Sequence, residues 1–175
     1  MTLPPPDDLA PASTDVAPTA IPGAAGRLLG IDLGSRRVGI ALADPRTGSV
    51  RALATLRRQD ADHEGAVLER LVQEHGVTEL VVGLPLSMDG HEGTQASETR
   101  SWAESMAGRL GLPLSLRDER LSSVAAEDRL PRLRRGTSGA PPGSGRRGRH
   151  RARIDREAAA GILQAELDAR SGLRA

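Results

Sequence analysis

Three acidic residues stand in apolar surroundings, where their carboxylates could act together. Asp32 interrupts the apolar run of residues 28–34, Glu119 follows the apolar stretch of residues 112–116, and Asp155 begins the apolar face of a C-terminal helix. A buried carboxylate is costly unless a counter-charge lies beside it. Carboxylates are typical ligands of divalent cations, and such cations can promote hydrolysis of a phosphodiester. The three acids therefore suggest a metal-dependent phosphodiesterase, provided that they meet in space.

Each of the three acids also has an ordinary structural explanation. Asp32 could cap the turn after a strand. Glu119 could be a solvated strand-end acid paired with Arg120. Asp155 could cap a helix, or its charge could be stabilised by the positive end of the helix dipole. Of the three acids, Asp155 is the one for which the ordinary explanation is the stronger one. The catalytic interpretation depends on the three acids occurring together.

Two further acids lie close to the same strand ends. Asp44 precedes Pro45, which favours a role in a turn over a role in metal binding. Asp118 precedes Glu119, and adjacent strand residues point to opposite faces. Only one of that pair can join a site on one face of the sheet.

Basic charge is concentrated beside Asp155. Residues 129–156 contain ten Arg and one acid, whereas the remaining 14 Arg face 22 acids. Such a segment is typical of contacts to a phosphate backbone. It lacks aromatic residues that could stack on bases, so we expect weakly sequence-specific contacts to phosphates. The candidate nucleic-acid-binding residues are Arg134, Arg135, Arg146, Arg147, Arg149, Arg151 and Arg153.

The composition excludes several other kinds of site. The chain has no Cys, so disulfides and thiolate metal sites are excluded. Its longest strongly apolar run, residues 80–86, is far shorter than the roughly 20 residues of a membrane-spanning helix. The N-terminus lacks the basic start and apolar centre of a secretory signal. We therefore expect a cytoplasmic protein without membrane association.

Hydrophobic periodicity predicts one domain at residues 27–170, between a disordered Pro/Ala-rich tail at residues 1–26 and a short C-terminal tail at residues 171–175. Residues 131–150, rich in Arg and Gly, are predicted to form a mobile loop. Strands are expected at residues 27–33, 38–43, 49–56, 79–84 and 112–117. Helices are expected at residues 61–75, 94–110, 121–130 and 155–169.

The order of these elements predicts an α/β fold. Three strands joined by short turns are antiparallel neighbours, and the later strands follow helical crossovers. The result is a mixed five-stranded sheet with helices on both faces, in the order of the ribonuclease H-like fold. The loop at residues 85–93 leaves the fourth strand and enters a helix, a position where α/β proteins bind ligands and where helix N–H groups can meet a phosphate. Its His91 is the one histidine that we consider a candidate for this site.

Four ordered motifs resemble the YqgF/RuvX family of bacterial pre-16S rRNA nucleases, also described as Holliday junction resolvases. The resemblance spans residues 27–169. Its motifs are Gly30-Ile31-Asp32-Leu33-Gly34 with Arg37-Val38-Gly39-Ile40-Ala41, then residues 82–90, then Asp118-Glu119-Arg120-Leu121-Ser122-Ser123, and then Ile154-Asp155 with Ala158-Ala159 and Ile162-Leu163-Gln164. This chain departs from the family at Ser122-Ser123, where members often carry Thr-Thr, and in the long Arg/Gly/Pro segment before Asp155.

The resemblance implies a catalytic site of Asp32, Glu119 and Asp155, by the family's likeness in fold to the RuvC resolvases. Asp32 would bind both of two Mg²⁺ or Mn²⁺ ions, and Glu119 and Asp155 would each bind one of them. The implied substrate is pre-16S rRNA, cut during 5′-end maturation in ribosome biogenesis. A branched DNA junction is the alternative. We expect a monomer or a homodimer. Cutting a junction needs two active sites and hence the homodimer.

Two alternatives belong to other functional classes. Sugar kinases and actin-like ATPases carry a similar Gly-Ile-Asp-Leu-Gly motif, but they use two such domains to enclose ATP, and one domain of this size cannot do so. A non-catalytic RNA-binding, transcription-associated factor would use the Arg-rich segment without metal-dependent turnover.

Overall fold

A computed structural model describes residues 26–119 and 144–172, except the side chains of residues 144–147 and 149. The predicted tail, the predicted helix at residues 121–130 and residues 131–143 of the predicted loop lie outside this range. The strands are β1 (Arg27–Leu33), β2 (Arg37–Asp44), β3 (Ser49–Arg57), β4 (Val77–Leu84) and β5 (Leu114–Asp118). The helices are α1 (Ala61–His75), α2 (Thr94–Leu110) and α3 (Ser144–Gly172).

The strands form one sheet in the order β3-β2-β1-β4-β5. β1 pairs antiparallel with β2 and parallel with β4, and β5 continues the parallel half. The predicted mixed five-stranded sheet is therefore confirmed. The carboxyl ends of the three parallel strands, Leu33, Leu84 and Asp118, all lie at one end of the sheet.

Alternation along the strands separates two cores. On one face, Leu29, Ile31 and their neighbours pack against α1 and α2, which contribute Leu68 and Met106. On the other face, α3 packs across the sheet through a second buried cluster. Helices therefore cover both faces, as the sequence predicts. The α3 cluster contains Leu28, Ala41, Ala43, Val81, Ala159, Ile162, Leu163 and Leu167.

The helix α3 lies close to the sheet because glycines replace side chains beneath it. A Cβ atom on Gly39 would stand 1.9 Å from the backbone oxygen of Asp155, and one on Gly30 would stand 2.4 Å from the Cγ atom of Leu163. Thr55 on β3 donates a hydrogen bond to the carbonyl of Ala152 at 2.6 Å. These contacts fix the helix segment that carries Asp155.

The start of the last helix differs from the prediction. The sequence places it near residue 155, whereas α3 begins at Ser144, so residues 144–150 are helical and do not belong to a loop. Gly145 and Gly148 lower the intrinsic helix propensity of this segment, which is why the sequence pattern favours a loop there. No helix of the described part of the chain is both long and apolar enough to cross a membrane.

Candidate active site

The candidate site lies on the α3 face of the sheet, at the carboxyl ends of the parallel strands. On β1, Asp32 shares this face with Leu28 and Gly30. Its cross-strand partner on β2 is Gly39. On the other side, Gly83 of β4 follows the Ile31–Val82 pair and lies beside Asp32. Asp32 thus stands between two glycines, and no neighbouring side chain covers it within the sheet.

Glu119 reaches this position from the end of β5. In the register of β5, Arg117 pairs with Gly83, and Glu119 lies two residues further on the same face. A Cβ atom on Gly83 would stand 2.0 Å from Oε1 of Glu119. The missing side chain at Gly83 is therefore what allows Glu119 to extend across β4 to Asp32.

Asp32 and Glu119 are joined by a hydrogen bond between their carboxyl groups. Burial raises the pKa of Asp32 from its ordinary 3.8 to about 6; the charge of Asp155 adds to this rise, and the hydrogen bond from Glu119 opposes it. Burial, the charges of Asp32 and Asp118 and the hydrogen bond to Asp32 together raise the pKa of Glu119 from 4.5 to about 7, with burial as the largest cause. Glu119 is thus the donor, and the two carboxyls hold one proton between them near neutral pH.

Asp155 is near this pair but is held by another partner. Its Oδ2 atom accepts a hydrogen bond from Nε of Arg37 at 2.6 Å, and the two side chains are only 24% and 27% exposed. Its charge still contributes to the raised pKa of Asp32. Asp155 therefore acts on Asp32 through its charge, while Arg37 balances that charge.

No group of three or more His, Asp or Glu side chains in residues 26–119 and 144–172 is arranged to hold a metal ion. The described structure brings together Asp32 and Glu119, with Asp155 turned towards Arg37. The carboxylate oxygens of Asp32 and Glu119 are ligands of the kind that Mg²⁺ and Mn²⁺ prefer. A paired set of buried carboxyls also gains from a cation, because ionising both without one places like charges together.

The other candidate acids and His91 behave differently. Asp44 lies at the opposite end of the sheet, where it accepts hydrogen bonds from Arg46 and takes part in the turn after β2. Asp118 points to the other face of β5, although its charge acts on Glu119. The backbone carbonyl of His91 accepts a hydrogen bond from Ser87 at 2.6 Å, and the His91 side chain is exposed. No contact of that side chain supports a role for it.

The candidate nucleic-acid-binding arginines divide into three groups. Arg134 and Arg135 lie outside the described residues, and the side chains of Arg146, Arg147 and Arg149 are likewise not described. Arg151 and Arg153 are exposed on α3. Sequence reasoning missed Arg36, in the turn before β2, and Arg37, the first residue of β2, which line a cavity together with Asp155. Arg37 opens the second half of the first family motif, and that position is the signal that could have identified it.

The chain is similar in sequence to proteins of a known family. The family model "RuvX: Holliday junction resolvase" matches residues 26–169. A protein of Anaeromyxobacter dehalogenans (strain 2CP-C) named "Putative pre-16S rRNA nuclease" is 42% identical over 145 residues, which cover 83% of this chain and 98% of that protein. A protein of the same name from Moorella thermoacetica is 41% identical over 147 residues, covering 81% and 94% of the two chains.

Among solved structures, RuvC of T. thermophilus in complex with a Holliday junction substrate is similar in fold. The TM-score is 0.50 at 17% sequence identity, with 84% of this chain and 96% of that chain covered. This likeness agrees with the ribonuclease H-like architecture predicted from the order of the elements. The family match spans nearly all of the chain outside its N-terminal segment, and the relatives are matched over almost their full length. The chain therefore belongs to the RuvX family.

Proposed function

We propose that this protein is a metal-dependent nuclease that hydrolyses phosphodiesters of nucleic acid at Asp32, Glu119 and Asp155. The observation that carries the proposal is the Asp32–Glu119 pair, two carboxyls that share a proton on a rigid sheet and have pKa values raised to about 6 and 7. Strongly raised carboxyl pKa values are typical of functional sites. Membership of the RuvX family points to the same reaction.

Two Mg²⁺ or Mn²⁺ ions are the cofactor that we favour. Asp32 lies between Glu119, to which it is hydrogen-bonded, and Asp155, whose charge it experiences. It could thus be shared by both ions, with Glu119 and Asp155 each at one of them. When bound, the ions would activate the attacking water and stabilise the leaving oxygen.

The chain's own residues have distinct tasks in this proposal. Glu119 gives up the proton that it shares with Asp32, so that both carboxylates are free to act as ligands. Asp155 turns from Arg37 towards Asp32 and becomes the third carboxylate ligand. Arg37 holds the Asp155 carboxylate in place before that change and remains beside it as a counter-charge. Gly39 and Gly83 allow the backbone of Asp155 and the side chain of Glu119 to come close to Asp32.

Pre-16S rRNA is the substrate that we favour, in 5′-end maturation during ribosome biogenesis. The names of the relatives support this choice. The reaction would take place in the cytoplasm, where ribosomal precursors are processed. A Holliday junction is the second candidate, because the description of the family model names that activity. Symmetric cutting of a junction would need two active sites and hence a homodimer.

A comparison of substrates tests the proposal. The wild-type protein is incubated with pre-16S rRNA and with a synthetic four-way junction, each with Mg²⁺, Mn²⁺ or a chelator. We expect cleavage of the rRNA precursor with either metal and none with the chelator. Cleavage of the junction alone, by a protein that sediments as a dimer, would favour the resolvase. Binding of RNA without turnover under any metal condition would favour a non-catalytic RNA-binding factor.

A further inference from the structure

A second feature of the α3 face is a cavity of about 430 Å³ between the β1–β2 turn and the N-terminal half of α3. The turn contributes Gly34, Ser35, Arg36 and Arg37, and α3 contributes Arg151, Ile154 and Asp155. The cavity adjoins the acidic pair, since Gly34 follows Asp32 by two residues. Neither the family motifs nor the proposed cation site assigns it a role.

The charges that line the cavity do not cancel. Asp155 and Arg37 neutralise each other through their ion pair. Arg36 and Arg151 are exposed, and within the described residues neither forms an ion pair. Two of the three lining arginines therefore have no carboxylate partner among the described residues and are available to an anion. Arg is well suited to phosphate because its planar fork of N–H donors can make two parallel hydrogen bonds.

The backbone around the cavity is held firmly. The N–H of Gly34 donates to the carbonyl of Arg37 at 2.9 Å and closes the turn, while the N–H of Arg58 donates to the carbonyl of Arg36 at 3.0 Å. Arg151 precedes Asp155 by one helical turn and so lies on the same side of α3. The two free arginines thus approach the cavity from two fixed elements, the turn and the helix.

The size and chemistry of the cavity indicate which part of a substrate would enter it. Its volume falls within the range of sites for small organic molecules, and one nucleotide is of that size. No aromatic side chain lines it; the chain's one aromatic residue, Trp102, lies on α2 across the sheet. Stacking on bases is therefore excluded here, and the contacts would be made to phosphate.

We infer that this cavity binds a backbone phosphate next to the one that is cut, through Arg36 and Arg151. The inference rests on the proposed nuclease function and adds the contact that positions the strand. Because only phosphate is contacted, binding here is independent of base sequence. Arg36 and Arg151 are positioning residues, and they would set the register of the strand against Asp32.

Binding of RNA without cleavage tests the inference separately from catalysis. The parent is the D32N variant in chelator, and the ligand is a single-stranded fragment of pre-16S rRNA, titrated by fluorescence anisotropy at several salt concentrations. In this background we expect R36Q and R151Q each to weaken binding and to lower the slope of log K against log salt by about 0.7. The control is R70Q, which removes an exposed Arg from α1 on the opposite face of the sheet.

A second measurement locates the contact. Strands are prepared with a single uncharged methylphosphonate linkage at successive positions. At one position, removal of the charge should weaken binding to the parent but not to R36Q or R151Q. Equal thermal midpoints, followed by Trp102 fluorescence, establish that these variants are folded.

The inference is overturned if R36Q and R151Q bind with the same slope as R70Q, or if the D32N parent does not bind the strand at any salt concentration. Failure of the proposed function is a separate result, namely the absence of metal-dependent turnover by the wild-type protein. If the protein cuts RNA but binds it equally well without Arg36 and Arg151, the nuclease function stands and the proposed role of the cavity in phosphate binding is refuted.

Discussion

Two carboxyl groups determine the chemistry of the site at the scale of single residues. Asp32 and Glu119 come from strands that are separated by β4, and they meet because Gly83 has no side chain between them. Sharing a proton relieves their repulsion, but it also leaves them unable to bind a cation until that proton is lost. We therefore expect the proposed site to be sensitive to pH as well as to metal.

Without metal, the raised pKa values predict that stability falls as pH rises. In the unfolded chain these carboxyls lose their protons near pH 4, whereas the folded protein retains them up to about pH 6 for Asp32 and about 7 for Glu119. The folded state binds more protons throughout this window, so the free energy of unfolding decreases from about pH 4 to about pH 7 and then levels off. Each unit by which a folded-state pKa is raised costs about 1.4 kcal/mol, so the total loss attributable to the pair should be on the order of 6 kcal/mol.

Urea unfolding in chelator, followed by Trp102 fluorescence, measures this effect. D32N removes one acid and the repulsion that acts on Glu119, so its free energy of unfolding should be close to that of the wild type near pH 4 and exceed it at pH 8. D44N is the matched control, because Asp44 is a strand-end acid paired with Arg46 at the other end of the sheet. A D32N protein with the same pH profile as the wild type would show that Asp32 is not part of a proton-sharing pair.

The sequence predicts single residues unevenly. It singles out Asp32 and Glu119 because an acid in an apolar strand is conspicuous, and strand alternation predicts that only one of Asp118 and Glu119 joins the site. It cannot predict the ion pair of Arg37 with Asp155, since the partners are 118 residues apart and each is unremarkable in its own segment. Their meeting depends on how α3 lies across the sheet.

At the scale of elements, the position of α3 depends on small residues beneath it. A Cβ atom on Gly39 would meet the backbone of Asp155, which cannot move without the helix. We expect Gly39→Ala to destabilise the fold by about 1–3 kcal/mol and to reduce nuclease activity by displacing Asp155. Thermal unfolding and cleavage assays check both effects.

Gly108→Ala provides the comparison for this substitution. Nothing lies within 4 Å of a Cβ atom at Gly108, and that residue is exposed in α2. Alanine is a better helix former than glycine, so stability should rise by about 0.5–1 kcal/mol with activity unchanged. Equal stabilities of the Gly39 and Gly108 variants would contradict the proposed contact between α3 and β2.

A buried acid joins the elements on the other face of the sheet. Glu64 on α1 is 1% exposed and accepts hydrogen bonds from Nε1 of Trp102 on α2 at 2.8 Å and from Nε of Arg58 at 3.2 Å. The N–H of Gln59 donates to it at 3.0 Å. One carboxylate thus ties α1, α2 and the segment after β3 together.

We expect Glu64→Ala to lower the free energy of unfolding by roughly 3 kcal/mol, because it leaves buried donors without a partner. Denaturant unfolding provides the measurement. Glu98→Ala, at an exposed position on α2, should change stability by no more than about 0.5 kcal/mol. A small effect at Glu64 would mean that water replaces the carboxylate and that the helices are held by apolar packing alone.

The elements themselves are largely predictable from local patterns. Period-two alternation and short turns place β1, β2 and β3 within one or two residues of their observed ends. The last helix is the exception, because glycines weaken the local signal while tertiary contacts such as Thr55 with the carbonyl of Ala152 favour the longer helix. Local sequence does not contain that information.

At the scale of the whole molecule, the carboxyl ends of the parallel strands, the acidic pair and the cationic cavity all lie at one end of the sheet. Magnesium that binds only the folded state should stabilise the entire domain, by about 2.7 kcal/mol at a concentration of 100 times its dissociation constant. Thermal unfolding with increasing Mg²⁺ measures this shift. D32N should show little of it, and an equal shift in D32N would place the bound cation elsewhere.

The central claim is that Asp32 and its partners cut nucleic acid with the help of a metal ion. The most direct test is the rate of pre-16S rRNA cleavage with Mg²⁺ by purified wild-type, D32N and D44N proteins that unfold at comparable temperatures. We predict that D32N loses activity by on the order of 10³-fold or more, as expected for an essential catalytic group, while D44N cuts at the wild-type rate. A D32N protein that cuts as fast as the wild type would contradict it.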